Sequence, residues 1–295
     1  RKRCLAPVYH VLDGAVGQEM EKLITHLANL RRSETTIKGY RLYLSEFLTH
    51  LNASGVKSVR EIADKHILTF VSSHPTNKVS VVSALRVLFH FWKEEHIVDG
   101  RYDDLFDTYK LRKREKIPSY FIAADVMKIE ETVSRSSAVG KRNYAMVLLA
   151  SRLGLRASDI AGLQFSEIDW DNDTITLVMK KTGKVIELPL LPDVGNAIID
   201  YLQHGRPQSD LQSVFLSSRA PYVAATKGMV CSAINQIVCK SGVDITSKHH
   251  GPHSLRHSLA SAMLEGGATI PVISESLGHR STQTTLTYLK IDIQS

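Results

Sequence analysis

His253-Ser254-Leu255-Arg256-His257 is followed by Leu277-Gly278-His279-Arg280-Ser281 and then by Tyr288. Two histidines, an arginine and a tyrosine at these intervals do little for a core, yet together they suit attack on a phosphodiester. An arginine can hold the non-bridging oxygens while charge develops on phosphorus. An imidazole can exchange protons with the phosphate or the phenol, and the phenol itself can be the nucleophile. Taken singly, each has a blander reading; a tyrosine at the end of an amphipathic helix is ordinarily a packing residue. It is the combination that points to chemistry.

Upstream, Gly154-Leu155-Arg156-Ala157-Ser158-Asp159 stands where one helical stretch ends and the next begins. Asp159, three residues after Arg156, can pair with it and orient it as a phosphate clamp, although Arg-x-x-Asp on a helix is more often a surface ion pair. Lys181 lies in Lys180-Lys181-Thr182-Gly183-Lys184, between two β-branched runs. A turn there can carry a cationic side chain to a leaving oxygen and supply its proton. With lysines at 180, 181 and 184, spacing alone does not choose among them.

Two rival readings attach to the same residues. His249, His250, His253 and His257 could ligate a metal, since imidazoles at i and i+4 share a helix face. Gly251-Pro252 interrupts any helix joining the first pair to the second, and no glutamate completes a His-Glu-x-x-His pattern. No metal is therefore expected, and His257 reads as a packing or hydrogen-bonding neighbour. The second rival is structural: residues 268–289 read as helix, tight turn at Gly278, helix. That is the pattern of a helix-turn-helix, whose second helix enters the major groove and which binds DNA without cutting it.

These residues need a scaffold. The chain has 295 residues, 43% hydrophobic and 23% charged, which suits two globular domains of ordinary size. A net charge of +7 and a pI near 9.2 make a polyanion the first partner to consider. No apolar run approaches the ~20 residues that span a bilayer, and no signal peptide opens the chain; a soluble, cytoplasmic protein without membrane partners is expected. Cys4, Cys231 and Cys239 form no Cys-x-x-Cys and read as reduced thiols. The chain opens at Arg1 and is read as a trimmed form of a longer one.

Apolar residues fall at helical spacing over Met20, Leu23, Ile24 and Leu27, and over Tyr40, Leu44, Phe47, Leu48 and Leu51. The second set follows cap candidates in Ser33-Glu34-Thr35-Thr36. Helices over 61–72 and 79–95 complete an all-α first domain, residues 1–111. The basic run over 110–116 makes residues 112–117 an exposed linker. From 118 to 295 the pattern is mixed: helices over 124–133 and 142–153, a hairpin from 173–179 and 185–189 around a glycine turn, then helices. The expected fold class is mainly α with a small β-sheet, the second domain being α+β.

In order and spacing, Arg156, Lys181, His253-x-x-Arg256, Leu277-Gly278-His279 and Tyr288 resemble the motif set of the tyrosine recombinase (phage integrase) family. Lys181 takes the family's hairpin-lysine place when counted back from Leu188-Pro189-Leu190, and Tyr288, nine residues beyond His279, takes the nucleophile's. Residues 36–47 and 82–91 look like the first and last helices of the family's core-binding domain, so the resemblance runs roughly from Gln18 to Lys290. It implies that residues 1–111 clamp DNA and that residues 118–295 are catalytic. Arg156 and Arg256 would hold the scissile phosphate, His279 would bond a phosphate oxygen, His253 would relay the proton of Tyr288, and Lys181 would protonate the 5′-oxygen. Asp159 and His257 would support them.

The resemblance further implies a 3′-phosphotyrosyl intermediate, a Holliday junction and a homo-tetramer on two duplex DNA sites, with no cofactor, metal or ATP. Accessory DNA-bending or directionality proteins are candidate partners, and the nucleoid is the expected location. Lys38, Arg41, Arg86, Arg112, Lys113 and Arg114 are candidates for phosphate-backbone contacts. The residues after Tyr288, 289–295, fall short of the tail helix by which the family docks on a neighbouring subunit. A type IB topoisomerase, which shares the chemistry without exchanging partners, and a DNA-binding-only protein are the alternatives. Integration, transposition and replicon-dimer resolution are equally compatible with these motifs.

Overall fold

The computed structural model describes residues 10–100, 102, 105–106, 120–246 and 250–278. The chain divides into two units, Arg1–Arg114 and Glu115–Ser295, each with its own core.

In the first unit, α1 (Gly14–Asn29), α2 (Glu34–Ala53), α3 (Asp64–Ser72) and α4 (Lys78–Glu94) bury one stripe each. Ser33 caps α2, its Oγ accepting the Thr36 amide at 3.2 Å. Met20, Leu23 and Leu27 of α1 meet Leu44, Phe47 and Leu51 of α2, and α4 adds Leu85, Leu88, Phe89 and Trp92. Each such side chain contributes about 1.5–3 kcal/mol on burial. Trp92 is fully buried, and its Nε1 donates to the Glu19 carbonyl at 3.3 Å. The third helix begins later than its apolar spacing predicts. Val59–Glu61 is a 3-10 turn, and the Ala63 amide donates to Nδ1 of His66 at 3.0 Å, fixing the helix start at Asp64.

The second unit is built around α6 (Ala138–Ser151), preceded by α5 (Ala123–Glu131). Buried residues 145–150 of α6 face neighbours on every side, so the helix shows no amphipathic stripe. After the short α7 (Ala157–Gly162), β1 (Ile168–Asp169), β2 (Thr174–Val178) and β3 (Val185–Pro189) form an antiparallel sheet in that order. Ile175 pairs with Leu188 and Leu177 with Ile186, all facing the core. The sheet is thus the expected hairpin plus one strand; β1 is too short to carry a period-two signal. Then come α8 (Pro192–His204), α9 (Lys227–Lys240), α10 (Pro252–Glu265) and α11 (Ile270–Ser276). α6 packs against α8, α9 and α10. At its end, buried Glu130 bonds Arg152 Nη2 and Ser151 Oγ, each at 2.6 Å, which fixes the stretch leading into Gly154. Cys231 and Cys239 carry free thiols; Cys4 lies outside the described residues. No described helix is long and apolar enough to cross a membrane.

Candidate active site

Pro252 opens α10, where its fixed φ suits the helix and its missing N–H would have no intrahelical partner. The helix then sets His253, Arg256 and His257 at i, i+3 and i+4, on neighbouring faces. Arg256 is only 1% exposed. Its Nη1 donates to the Gly154 carbonyl at 2.6 Å and its Nη2 to the Leu277 carbonyl. One guanidinium therefore ties together the Gly-Leu-Arg, His-x-x-Arg and Leu-Gly-His stretches. Held this way, it is oriented before any phosphate arrives.

Gly154 permits that approach. Its φ is +62°, and a Cβ there would stand 2.7 Å from Leu277 Cδ2 and 3.0 Å from Leu259 Cδ2. Any side chain would be both strained and in collision.

Arg156 is half-buried at the N-cap of α7, and its Nη1 donates to Met179 Sδ at 3.3 Å. Asp159 is buried and accepts the Lys180 amide at 2.9 Å and the Ser158 hydroxyl at 3.4 Å. Among the described residues it makes no ion pair with Arg156. In place of the pairing expected from Arg-x-x-Asp, the Arg156 guanidinium turns to Met179 Sδ and Asp159 to the Lys180 amide. The carboxylate anchors the hairpin turn to α7 instead.

Lys181 is exposed in the turn between β2 and β3. The Lys180 ammonium is folded over Gly162, where a Cβ would come within 2.0 Å of it. Of the three lysines it is Lys181 whose charge bears on His253. His253 is exposed, and its ring meets that of His257 edge-on, the centroids 4.2 Å apart at 61°. Desolvation against the protein, followed by the positive charges of Arg256, Lys181 and Arg156, holds its pKa below the usual imidazole range. The ring is neutral near pH 7 and able to accept a proton, while the cations around it suit a phosphate.

Ser258 fixes α10 from beneath. Its Oγ accepts the Phe121 amide at 2.7 Å and donates to the Ser254 carbonyl at 2.9 Å, all buried. Ser258→Ala removes both buried hydrogen bonds and is expected to lower folding stability by about 1–3 kcal/mol, as urea unfolding would report.

His279, Tyr288, Arg112, Lys113 and Arg114 lie outside the described residues, as do His249 and the second half of the helix-turn-helix pattern. The other DNA-contact candidates have internal partners. Lys38 pairs with Glu34 at 2.7 Å on the exposed face of α2. Arg41 bonds Glu21 and the His10 carbonyl, and Arg86 donates to the Phe106 carbonyl at 2.7 Å. Among the described residues, no three His, Cys, Asp or Glu side chains gather as a metal site. What sequence reasoning missed are the carbonyl acceptors of Arg256 and the parts played by Ser258 and Met179. Backbone groups leave no mark in a sequence; for Met179, only its inward register after Ile175 and Leu177 could have signalled a contact.

Residues 121–294 match the model of the phage integrase family. The integrase/recombinase y4rA of Sinorhizobium fredii is 34% identical over 95% of this chain and 69% of that protein. Tyrosine recombinase XerC of Oceanobacillus iheyensis is 28% identical over 88% of this chain and 86% of that one. Among solved structures, the XerH site-specific recombinase on its difH substrate, a post-cleavage complex, superposes with a TM-score of 0.69 at 19% identity, covering 93% of this chain and 81% of that chain. The Tn1549 transposon integrase with circular intermediate DNA gives 0.70 at 18% identity, with 94% and 95% covered. At these identities the structures speak for the fold alone.

Proposed function

The chain belongs to the phage integrase family, the tyrosine recombinases, and on that premise we propose how its residues cut and rejoin DNA. Enzymes of this family cleave and rejoin DNA, and this chain is an enzyme of that class. Its substrate in this reading is duplex DNA carrying specific recombination sites. The observation that carries the reading is buried Arg256, which sits one helical turn from His253 and whose guanidinium bonds the Gly154 and Leu277 carbonyls, drawing the three motif stretches together.

A free phenol has a pKa near 10, so only about one in a thousand is ionised at neutral pH and the nucleophile, Tyr288, needs a base. His253 takes the proton as the phenolic oxygen attacks phosphorus. Arg156 and Arg256 hold the non-bridging oxygens through the pentavalent transition state, with His279 bonding one of them. The bond to the 5′-oxygen breaks, and Lys181 gives that oxygen its proton. A 3′-phosphotyrosyl link and a free 5′-hydroxyl remain. The link keeps the energy of the broken bond, so a 5′-hydroxyl from a partner duplex rejoins it without ATP. Protein groups fill every role, which predicts activity in EDTA. Asp159 holds the hairpin that carries Lys181, and His257 braces the His253 ring. Residues 1–111 and the basic linker over 112–117 grip the duplex by its phosphates. Exchange then passes through a Holliday junction within a homo-tetramer on two sites, with accessory DNA-bending proteins setting direction, in the cytoplasm on the nucleoid.

The test is to incubate the protein with supercoiled DNA of its source and EDTA, denature with SDS, and recover protease-sensitive protein–DNA adducts. Mapping them would give the site. Binding without adduct would favour the DNA-binding-only reading, relaxation without partner exchange the topoisomerase. Within this scheme Lys181→Ala is expected to slow cleavage by about 10²–10⁴. A 5′-bridging phosphorothiolate, whose thiolate departs without a proton, should recover most of that loss; no recovery would move the acid to Lys180 or Lys184.

A further inference from the structure

Three parts of the site meet on one residue that the mechanism does not use. Met179 is fully buried directly after β2. Its thioether sulfur accepts from Arg156 Nη1 at 3.3 Å. Its backbone shapes the lysine turn: the amide donates to the Lys184 carbonyl at 2.9 Å, and its carbonyl accepts from Gly183 at 2.8 Å and Thr182 at 3.2 Å. On the far side the sulfur lies under Gly278, where a Cβ would come within 2.1 Å of it. Gly278 has a φ of +58° and directly precedes His279. A valine or leucine at position 179 would fill a core pocket equally well; neither offers an acceptor to a guanidinium.

We infer that Met179 is a positioning residue for DNA cleavage: its sulfur fixes the Arg156 fork, and its bulk sets the Leu277-Gly278 turn against the hairpin that carries Lys181. The inference rests on the recombinase reading. A guanidinium that loses one of its braces samples more orientations, whereas a transition state needs one, and small misplacements at a reacting phosphate are costly. Sulfur is a weak acceptor, so it releases one N–H to a phosphate oxygen more easily than a carboxylate would.

Met179→Leu keeps the volume and removes the acceptor. On the duplex recovered by adduct trapping, single-turnover cleavage is expected to fall about fivefold, the rate equivalent of one ordinary hydrogen bond. Duplex affinity by gel shift and the thermal midpoint should stay at wild-type values. A purely structural methionine would move the midpoint, or binding and cleavage together. For the second contact, Gly278→Ala places a methyl group against the sulfur, and adding Met179→Ala removes the obstacle. The double variant should cleave faster than Gly278→Ala alone. Wild-type cleavage by Met179→Leu, or a double variant no faster than the single one, overturns the assignment while leaving the recombinase reading intact. Failure of the wild-type protein to form any adduct overturns both.

Discussion

Tyr288→Phe is expected to abolish covalent attachment to DNA, with duplex affinity no more than about fivefold lower. The change removes one oxygen and leaves the ring, so all that binding can lose is one hydrogen bond, about 1 kcal/mol. The reaction loses its nucleophile, for which His253, Arg156 and Arg256 offer no substitute: they move a proton and hold charge, and none forms a stable ester with phosphorus at this position. Without the phosphotyrosyl link there is no stored bond energy, so rejoining to a partner duplex disappears as well. A labelled duplex run on a denaturing gel with SDS reads the adduct, and a native gel reads the affinity. An adduct that persists in the variant would take the nucleophile's role away from Tyr288. A loss of binding matching the loss of adduct would make the tyrosine a DNA contact.

The sequence singled out candidate reacting groups and was silent on what holds them. Arg156, His253 and Arg256 stand out only in combination, because their types and order together suit one reaction, while spacing left Lys181 one of three lysines. The helices α1 and α2 were legible for a similar reason: each faces one core, so its apolar residues recur every third or fourth position. α6 is apolar around its whole circumference over residues 145–150, which gives a run without a face, and its partners α8, α9 and α10 are not written in it. β1 has two residues, too few for any period. The start of α3 is set by an imidazole returning to an amide, a contact that spacing does not encode. Within the site, Asp159 read as the partner of Arg156 from their spacing; the fold brings Met179 Sδ to the arginine and the Lys180 amide to the aspartate, contacts that spacing does not encode. Spacing could not separate the three lysines; the folded turn lays the Lys180 ammonium over Gly162 and leaves Lys181 exposed.

Arg256→Ala is expected to cut cleavage by about 10²–10³, the usual loss when a fixed donor to a developing oxyanion is removed, with duplex affinity falling less than about tenfold. The disparity follows from position. A phosphate contact at the surface serves ground state and transition state alike and costs binding, whereas this guanidinium is buried and held by the Gly154 and Leu277 carbonyls, so its fork is aimed at one geometry. Removing it also strands both carbonyls, at about 1–3 kcal/mol for each that water cannot reach, so part of any lost activity could be lost fold. Arg256→Lys separates the two effects. A lysine keeps the charge and can reach one carbonyl, which restores most of the stability, but its point charge cannot hold two carbonyls and a phosphate in one plane. Its cleavage rate should therefore stay well below wild type with the thermal midpoint largely recovered. Single-turnover adduct formation, measured where circular dichroism shows each variant fully folded, reads the rate apart from the fold. Equal losses of cleavage and binding in Arg256→Ala, or full activity in Arg256→Lys, would make this arginine an ordinary phosphate contact and leave Arg156 as the only clamp on the scissile group.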